Sequence, residues 1–330
     1  MLAADATAQA NAVALASAQR GDALNPGRAG FPFELGNQFG YLRWDGRFLI
    51  KETRKGYLSL SPDYWALYDR SDEPIAIRDM NGAIAGEIAN PRGFPLFIDG
   101  KIFIINDEQN SLQRIDADGT LLWKYDFSAP ITDIDAATDM ILLGTLDGTV
   151  ELLNDEGKRV YYFEPGGSRL SVILSCRISR DGSTIAIISG YDDQRFLLLE
   201  QSGDGYRISY HEFLSNGFRR AVHLAFIDND QRVVFERNGG MKIFTIASRK
   251  ILEIPLDGTI LALDQSGEDG LLFVVTALTS RRRKLLGIHV NGEIFMEAPF
   301  VSESVFLSRI GKSLYIGGGR ALAAFEIDTR

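Results

Sequence analysis

The densest group of carboxylates in the chain is Asp133, Asp135 and Asp139. Carboxylate oxygens are good Ca²⁺ ligands, but a known calcium loop alternates its ligands and has a glycine at its sharp turn. This segment has neither feature, so we predict solvated acidic residues beside a strand, with metal binding as the minor alternative. The three histidines lie far apart, without the paired spacing of a zinc site. We therefore predict no metal and no cofactor.

Groups for nucleophilic catalysis are equally sparse. The chain has no Gly-x-Ser-x-Gly sequence, which serine hydrolases of the α/β class use to expose the nucleophile. Its one cysteine, Cys176, lies in the apolar run 173–178, which favours a buried and unreactive thiol. Because there is only one cysteine, an intrachain disulfide is excluded. We predict no catalytic residue. A pair of carboxylates that the fold brings together from distant positions stays open, because spacing in the sequence cannot reveal it.

Cationic and aromatic side chains recur in segments that look like loops. Arginine together with aromatic residues is typical of the strongest contacts in protein interfaces. We predict partner binding by ten residues: Arg92, Phe94, Arg169, Phe218, Arg219, Arg220, Arg281, Arg282, Arg283 and Lys284. The alternative is a solvated basic run that only balances charge. We expect replacement of Arg219, Arg220, Arg281 and Arg282 by glutamate to leave folding intact, because exposed sites contribute little to stability.

The overall charge argues against nucleic acid as the partner. Lysine and arginine number 35 and aspartate and glutamate 44, so the net charge is 35 − 44 = −9. Binding to a phosphate backbone needs a net basic surface. We therefore predict that the partner is another protein. No run of the sequence is long and apolar enough to predict a membrane span.

The elements that must position these residues are short strands. From about residue 40, runs rich in Ile, Val, Leu, Phe and Tyr alternate with Gly, Asp and Asn every eight to twelve residues, which predicts an all-β fold. Pairs suited to tight hairpins recur between the third and fourth strand of successive units. They are Asn81-Gly82, Asp118-Gly119, Glu156-Gly157, Asp204-Gly205 and Asn291-Gly292.

The strands group into repeats of four. First strands begin near residues 57, 96, 131, 175, 222, 260 and 305, a mean spacing of about 41, which is typical of a β-propeller blade. The last unit has three strands, and residues 47–51 form a strand left over before the first unit. We therefore predict a seven-bladed β-propeller of four-stranded blades, closed by pairing residues 47–51 with residues 322–327. An eighth blade built from residues 31–56 is the alternative.

Two kinds of blade carry a resemblance to known families. Residues 116–126 (DADGTLLWKYD) and 144–154 (GTLDGTVELLN) resemble blades of quinoprotein-like propellers, a group that includes outer-membrane assembly lipoproteins of the BamB type. Residues 178–186 (ISRDGSTIA) and 60–66 (LSPDYWA) resemble blades of TolB-type and WD-repeat propellers. The chain lacks the Trp-Asp ending of WD repeats, and only Trp123 matches the repeated tryptophan of quinoproteins. The resemblance implies the architecture and does not transfer a specific activity.

The first 30 residues differ from the rest, with eleven alanines and no aromatic residue. We predict a linker or frayed helix over 1–35, one propeller domain over 36–330, and an export signal or anchor upstream. The function predicted is a non-catalytic scaffold for protein–protein interaction in the bacterial envelope, periplasmic or membrane-anchored, with a cytoplasmic location as the open alternative. The alternative function is an enzyme or small-ligand binder that uses the central channel, as a hydrolase, a lyase or a quinoprotein-like protein.

Overall fold

A computed structural model describes residues 28–69, 73–89, 92–137, 139–215 and 217–327. These residues form eight antiparallel sheets, which we call blades 1 to 8 in chain order. Blades 2 to 7 have four strands each, whereas blades 1 and 8 have three. The prediction of an all-β propeller is confirmed. The number of blades is eight, which was the predicted alternative, rather than seven. Most of the segment predicted as a linker lies outside the described residues, but residues 30–35 belong to blade 1.

The first half of the described chain contains four blades. Their strands are β1 (Gly30–Leu35), β2 (Gln38–Arg43) and β3 (Phe48–Thr53) in blade 1; β4 (Tyr57–Leu60), β5 (Tyr64–Tyr68), β6 (Ile75–Asp79) and β7 (Ile84–Ile88) in blade 2; β8 (Phe94–Ile98), β9 (Lys101–Ile105), β10 (Ser111–Ile115) and β11 (Leu121–Asp126) in blade 3; and β12 (Ile131–Ala137), β13 (Met140–Thr145), β14 (Val150–Asn154) and β15 (Arg159–Phe163) in blade 4.

The second half contains the other four blades and a short 3-10 helix, Glu268–Gly270. The strands are β16 (Ile173–Ile178), β17 (Thr184–Ser189), β18 (Arg195–Ser202) and β19 (Gly205–Phe213) in blade 5; β20 (Leu224–Ile227), β21 (Arg232–Arg237), β22 (Gly240–Thr245) and β23 (Lys250–Pro255) in blade 6; β24 (Thr259–Leu263), β25 (Leu271–Ala277), β26 (Arg282–His289) and β27 (Ile294–Val301) in blade 7; and β28 (Val305–Ile310), β29 (Ser313–Gly318) and β30 (Ala321–Glu326) in blade 8.

Burial follows the order of strands within a blade. The first strand of blade 3, β8, is buried along its whole length, and the fourth, β11, is mostly exposed. First strands therefore lie at the centre of the ring and fourth strands at its rim. Hydrophobic clusters link each blade to the next, including a cluster of Phe31, Phe33, Phe306 and Tyr315 that joins blade 1 to blade 8. The ring is thus closed by side-chain packing.

The predicted closure by strand pairing is wrong. The strand at Phe48–Thr53 pairs with Gln38–Arg43 inside blade 1, and β30 pairs with β29 inside blade 8. Residues 30–43 supply two more strands to blade 1, although Pro32 lies in the first of them. The early strand therefore finds its partner locally, where less chain entropy is lost than in pairing across the ring.

The turns show which strands blade 1 contains. In blade 3, the third-to-fourth strand turn is closed by bonds from Asp116 N to Thr120 O (3.0 Å) and from Gly119 N to Asp116 O (3.1 Å). Blade 1 repeats this pattern after β2, with bonds from Arg43 N to Arg47 O (2.7 Å) and from Gly46 N to Arg43 O (2.9 Å). The same bonds also close the second-to-third strand turn of blade 4, from Thr145 N to Thr149 O and from Gly148 N to Thr145 O. The turn between β1 and β2, however, lies beside the loop between blades 7 and 8, where the Cβ position of Gly36 is 3.3 Å from Ser304 Oγ. Loops between blades lie on the same face as second-to-third strand turns, so β1 to β3 correspond to the second, third and fourth strands of a complete blade.

Blade 8 corresponds to the first three strands. After β30, Ile327 N donates to Lys312 O at 2.7 Å, as Ile246 N donates to Gln231 O at 3.0 Å after the third strand of blade 6. The ring therefore ends on a third strand and lacks, among the described residues, a fourth strand in blade 8. We call the face with the loops between blades and between second and third strands the upper face, and the opposite face the lower face.

Candidate functional site

Three upper-face loops meet at blade 5. They are residues 164–172, between blades 4 and 5; residues 190–194, between the second and third strands of blade 5; and residues 214–223, between blades 5 and 6, of which 216 is not described. We call these three segments the loop cluster. It contains four of the ten predicted partner-binding residues: Arg169, Phe218, Arg219 and Arg220.

A buried glutamine joins two of the loops. The side chain of Gln194 accepts a hydrogen bond from Phe218 N at 3.2 Å and donates to Phe218 O at 3.1 Å. Gln194 is 1% exposed, so both its amide oxygen and nitrogen make these bonds away from competing water. Leu214 N donates to Gln194 O at 2.8 Å as well, so the start and the middle of the 214–223 loop are both fixed to the 190–194 loop.

The remaining loop is held by its backbone and by a carboxylate. Tyr191 N donates to Leu170 O at 3.1 Å, and Gly190 N donates to Val172 O at 2.9 Å. The Asp192 carboxylate accepts hydrogen bonds from Ser168 Oγ and from Arg169 Nε (3.3 Å). The Ser168 hydroxyl is the main reason that the pKa of Asp192 lies well below its usual range. The cluster is therefore cross-linked by hydrogen bonds on an exposed face.

The outer surface of the loop cluster combines exposed apolar groups with guanidinium groups. Leu170 is 58% exposed and Tyr191 38%. Phe213, at the adjoining end of β19, is 59% exposed. The Arg219 guanidinium lies 5.0 Å from the centre of the Tyr191 ring, and that of Arg195 lies 5.1 Å from the Phe213 ring. Stacking on the rings orients these cations and leaves both surfaces available for contact.

Arg220 has a different role from its neighbour. Its guanidinium donates to both carboxylate oxygens of Glu236, at 2.9 and 2.7 Å, and the side chain of Glu236 is 3% exposed. His223 lies beside this pair, with its Nε2 3.3 Å from Ile260 O. Burial lowers the pKa of His223, although the Glu236 carboxylate acts in the opposite direction. Arg220 therefore neutralises a buried charge and anchors the 214–223 loop.

The predicted basic run 281–284 lies on blade 7, outside the loop cluster, and most of its cations are engaged. Arg281 pairs with Glu303 at 3.3 Å, and Lys284 pairs with Glu297 at 2.9 Å. Arg283 is buried and donates to backbone oxygens, including Ser280 O at 2.8 Å. Its side chain is therefore unavailable to a partner. Arg282 is exposed at the start of β26.

Arg92 and Phe94 lie between blades 2 and 3, on the part of the ring away from the loop cluster. Arg92 is exposed, whereas Phe94 is 8% exposed and begins the buried strand β8. Phe94 belongs to the hydrophobic core of blades 2 to 4 and offers no surface to a partner. The structure therefore separates the ten predicted residues into a group of four at blade 5, a group of four at blade 7, and Arg92 with the buried Phe94 between blades 2 and 3.

The carboxylates considered for metal binding bind protein groups instead. Asp133 is buried and accepts hydrogen bonds from Ser175 Oγ (2.8 Å), Cys176 N (2.8 Å) and Arg177 Nη1 (2.6 Å). These contacts join the first strands of blades 4 and 5, so the solvated setting expected for Asp133 is wrong. The Cys176 thiol is buried as predicted, and burial raises its pKa. Within the described ranges, no three potential metal ligands are grouped together.

The sequence reasoning missed Leu170, Tyr191, Phe213, Arg195 and Gln194. Leu170 and Tyr191 are large apolar residues between strands, flanked in the sequence by Gly, Ser, Arg and Asp. That contrast is a usable signal, because loops normally run through solvent. No helix in the described part of the chain is long and apolar enough to span a membrane.

Eight sheets around a common centre, joined blade to blade by apolar clusters, define the protein as a β-propeller. A family model described as beta-propeller protein matches residues 2–329, so the chain belongs to that family. A protein of Treponema pallidum (strain Nichols), described as uncharacterized, is 26% identical over 299 residues, which are 90% of this chain and 78% of the relative.

Solved structures of similar fold include proteins of different origin. BamB from Moraxella catarrhalis has a TM-score of 0.63 and 13% identity, covering 90% of this chain and 93% of that chain. The computationally designed Ika8 protein has a TM-score of 0.65 and 15% identity, with coverage of 91% and 97%. Citrobacter koseri AztD has a TM-score of 0.61 and 13% identity, with coverage of 91% of each chain. At these identities the similarity shows the fold alone.

Proposed function

We propose that the protein is a non-catalytic scaffold that binds another protein through the loop cluster of blade 5. The observation that carries this proposal is the pairing of exposed aromatic rings with guanidinium groups on loops fixed from below by a buried side chain. Such a surface is preorganised, so these loops would lose little conformational entropy when a partner binds. Tyrosine and arginine are also the residues most enriched at energetically important interface positions.

The charge of the cluster indicates the partner's chemistry. Arg219 has no ion pair among the residues the structure describes, while Arg169 and Arg220 are paired with Asp192 and Glu236. A partner that presents a carboxylate beside an apolar side chain could contact Arg219 and Tyr191 together. Electrostatic attraction of this kind raises the association rate, and added salt screens it.

Crosslinking in the native organism tests this proposal. A photoreactive phenylalanine derivative is placed at Tyr191 or at Phe213, and the matched control is Tyr162, which is 43% exposed on the outer strand of blade 4. We expect one common adduct from Tyr191 and the adjoining Phe213, reduced by Arg219→Glu and missing from Tyr162. Adducts from Tyr162 alone would contradict the proposal. So would adducts from Tyr191 and Phe213 whose yield is unchanged by Arg219→Glu.

The envelope location belongs to the same proposal and is tested separately. The resemblance of single blades to BamB-type sequences supports it. Fractionation of the native organism, with a cytoplasmic and a periplasmic marker, should place the protein in the periplasmic or membrane fraction. Recovery in the cytoplasmic fraction would remove the envelope from the proposal without affecting the loop cluster.

A further inference from the structure

The outer edge of blade 8 is an open strand. In each of blades 2 to 7 a fourth strand covers the third, but among the described residues β30 is the outermost strand of blade 8. Natural edge strands are protected by lysine, proline, bulges or covering loops. The stretch Ala321–Phe325 contains no charged residue and no proline, and β30 pairs with β29 without a register shift. The edge therefore keeps a regular backbone that could pair with another strand.

Fourth strands in this protein also make a second contact. In three pairs of neighbouring blades, the fourth strand packs a large side chain against the glycine in the third-to-fourth strand turn of the next blade. The Ile50 side chain lies 2.9 Å from the place where a Cβ of Gly82 would stand. The corresponding distances are 2.5 Å from Trp123 to Gly157 and 2.8 Å from Leu252 to Gly292. The glycine makes room for a large side chain from the preceding blade.

The equivalent glycine of blade 1 is uncovered. Gly46 occupies the same turn position with a φ of 78°, and no described atom lies within 4 Å of its Cβ position. Phe48, two residues later, is 46% exposed, and its ring lies 5.4 Å from that of Phe33, which in turn faces Phe306 of blade 8. The open edge of β30 and the uncovered turn at Gly46 therefore bound one site, shaped for a fourth strand.

We propose that β30 binds an extended segment of a second protein by β-strand addition. The segment runs antiparallel to β30, as every fourth strand here does to its third, and places one large apolar side chain over Gly46. Backbone hydrogen bonds give the affinity and the side chain over Gly46 gives the selectivity. This surface lies on the outer rim at blade 8, so it is separate from the loop cluster of blade 5.

The occupant is assigned to another protein because residues 1–27 suit the site poorly. Residues 1–27 are rich in alanine, which is depleted in strands, and contain no aromatic residue. Fourth strands of this protein instead carry residues such as Trp123, Tyr161 and Phe295. A second copy of this chain and residues 1–27 are the alternatives that the experiment distinguishes.

The test uses a synthetic peptide of residues 117–128, which contains the fourth strand of blade 3, added to the full-length protein. Hydrogen exchange of residues 321–326 is measured with and without peptide. With the peptide at ten times its Kd, we expect exchange in this segment to slow by about tenfold. Exchange in β19, another exposed strand at the rim, should stay unchanged.

Two N-methylated peptides are the matched controls. In an added strand alternate amides point toward the partner strand, so methylating one alternate set should abolish binding and methylating the other should not. Equal loss with both sets, or no slowing with the parent peptide, overturns the proposal. Slow exchange of residues 321–326 without peptide overturns the proposal too. If deletion of residues 1–27 abolishes this slow exchange, the occupant is the chain itself. If dilution abolishes it, the occupant is a second copy of the chain.

Discussion

Gln194 bonds to both backbone groups of Phe218, accepting from its N–H at 3.2 Å and donating to its C=O at 3.1 Å. Replacing Gln194 with leucine removes both bonds and leaves two backbone groups without a partner near the interior. We expect a loss of about 1–3 kcal/mol in the free energy of unfolding. Urea denaturation measures this loss, and hydrogen exchange should show faster opening of residues 217–220.

Gln201 provides the control for this substitution, because it is an exposed residue of β18 in the same blade. Gln201→Leu should change stability by less than about 0.5 kcal/mol. Normal exchange of residues 217–220 in the Gln194 variant would show that the loop holds its conformation without this side chain.

Reversal of charge at Arg219 and at Arg220 should have different effects on stability. Arg220→Glu places a second carboxylate against the buried Glu236, and breaking such a pair should cost about 2–4 kcal/mol of folding free energy. Arg219→Glu removes only a contact with the Tyr191 ring at the surface and should be nearly neutral for stability. The measurement is thermal or urea unfolding of the two single variants.

The partner substitution Glu236→Gln completes this comparison. Added to Arg220→Glu, it removes the repulsion and should recover much of the lost stability. Equal stability of the Arg219 and Arg220 variants would contradict the anchoring role of Arg220. The sequence-based expectation that Arg220→Glu leaves folding intact is therefore replaced by the expectation that it destabilises the fold.

Asp264 makes stability depend on pH. It is fully buried, its Oδ1 accepts bonds from Ser266 N and Oγ, and its Oδ2 has no partner among the described residues. Burial raises its pKa from 3.8 to about 6. Because the folded-state pKa exceeds the unfolded one, this contribution is full at acidic pH and is lost as pH rises through about 6.

Asp264→Asn removes this titration. The free energy of unfolding of the variant, relative to the wild type, should therefore improve by about 2 kcal/mol between about pH 4 and pH 8. Urea unfolding across that range gives the value. A difference between the two proteins that does not vary with pH would show that Asp264 keeps an ordinary pKa in the fold.

Phe31 holds the junction between blades 8 and 1. It is 4% exposed, with its ring centre 4.6 Å from that of Tyr315. Phe31→Ala should cost about 3–5 kcal/mol, the usual loss for a buried phenylalanine. Phe213→Ala, which removes an exposed ring, should cost less than about 0.5 kcal/mol. Similar urea midpoints for both variants would show that the junction contributes little to stability.

The repeat pattern predicted seven of the eight blades, because their strands recur at a regular spacing and five of them carry a turn pair that ends in glycine at the same point. Gly82, Gly119, Gly157 and Gly292 have the positive φ expected for their hairpins. The first blade was predicted only as the alternative, over residues 31–56, and its strand β1 contains Pro32, which disfavours a strand. The pairing of Phe48–Thr53 was also missed, since the same side-chain pattern suits a local partner or one across the ring.

The site was predicted less completely than the fold. The sequence predicted that Arg169, Arg219 and Arg220 lie in loops, but a sequence does not show whether an arginine meets solvent or a carbonyl group. Arg283 is buried because backbone oxygens satisfy its guanidinium, and Phe94 because it begins an inner strand. The link between Gln194 and Phe218 depends on loop conformation, which spacing along the chain does not encode.

The closure of the ring between blades 1 and 8 has a consequence for the order of folding. Tyr315 Oη donates to Trp44 O at 2.9 Å, joining residues 271 positions apart, whereas all other neighbouring blades are consecutive in the chain. The loop entropy lost grows with length, to about 5 kcal/mol for this contact against about 3 kcal/mol for a single blade. Closure should therefore be the last step, preceded by an open arc. The two ends of such an arc fit each other or those of a second arc, so at high concentration assembly between chains competes with closure within one.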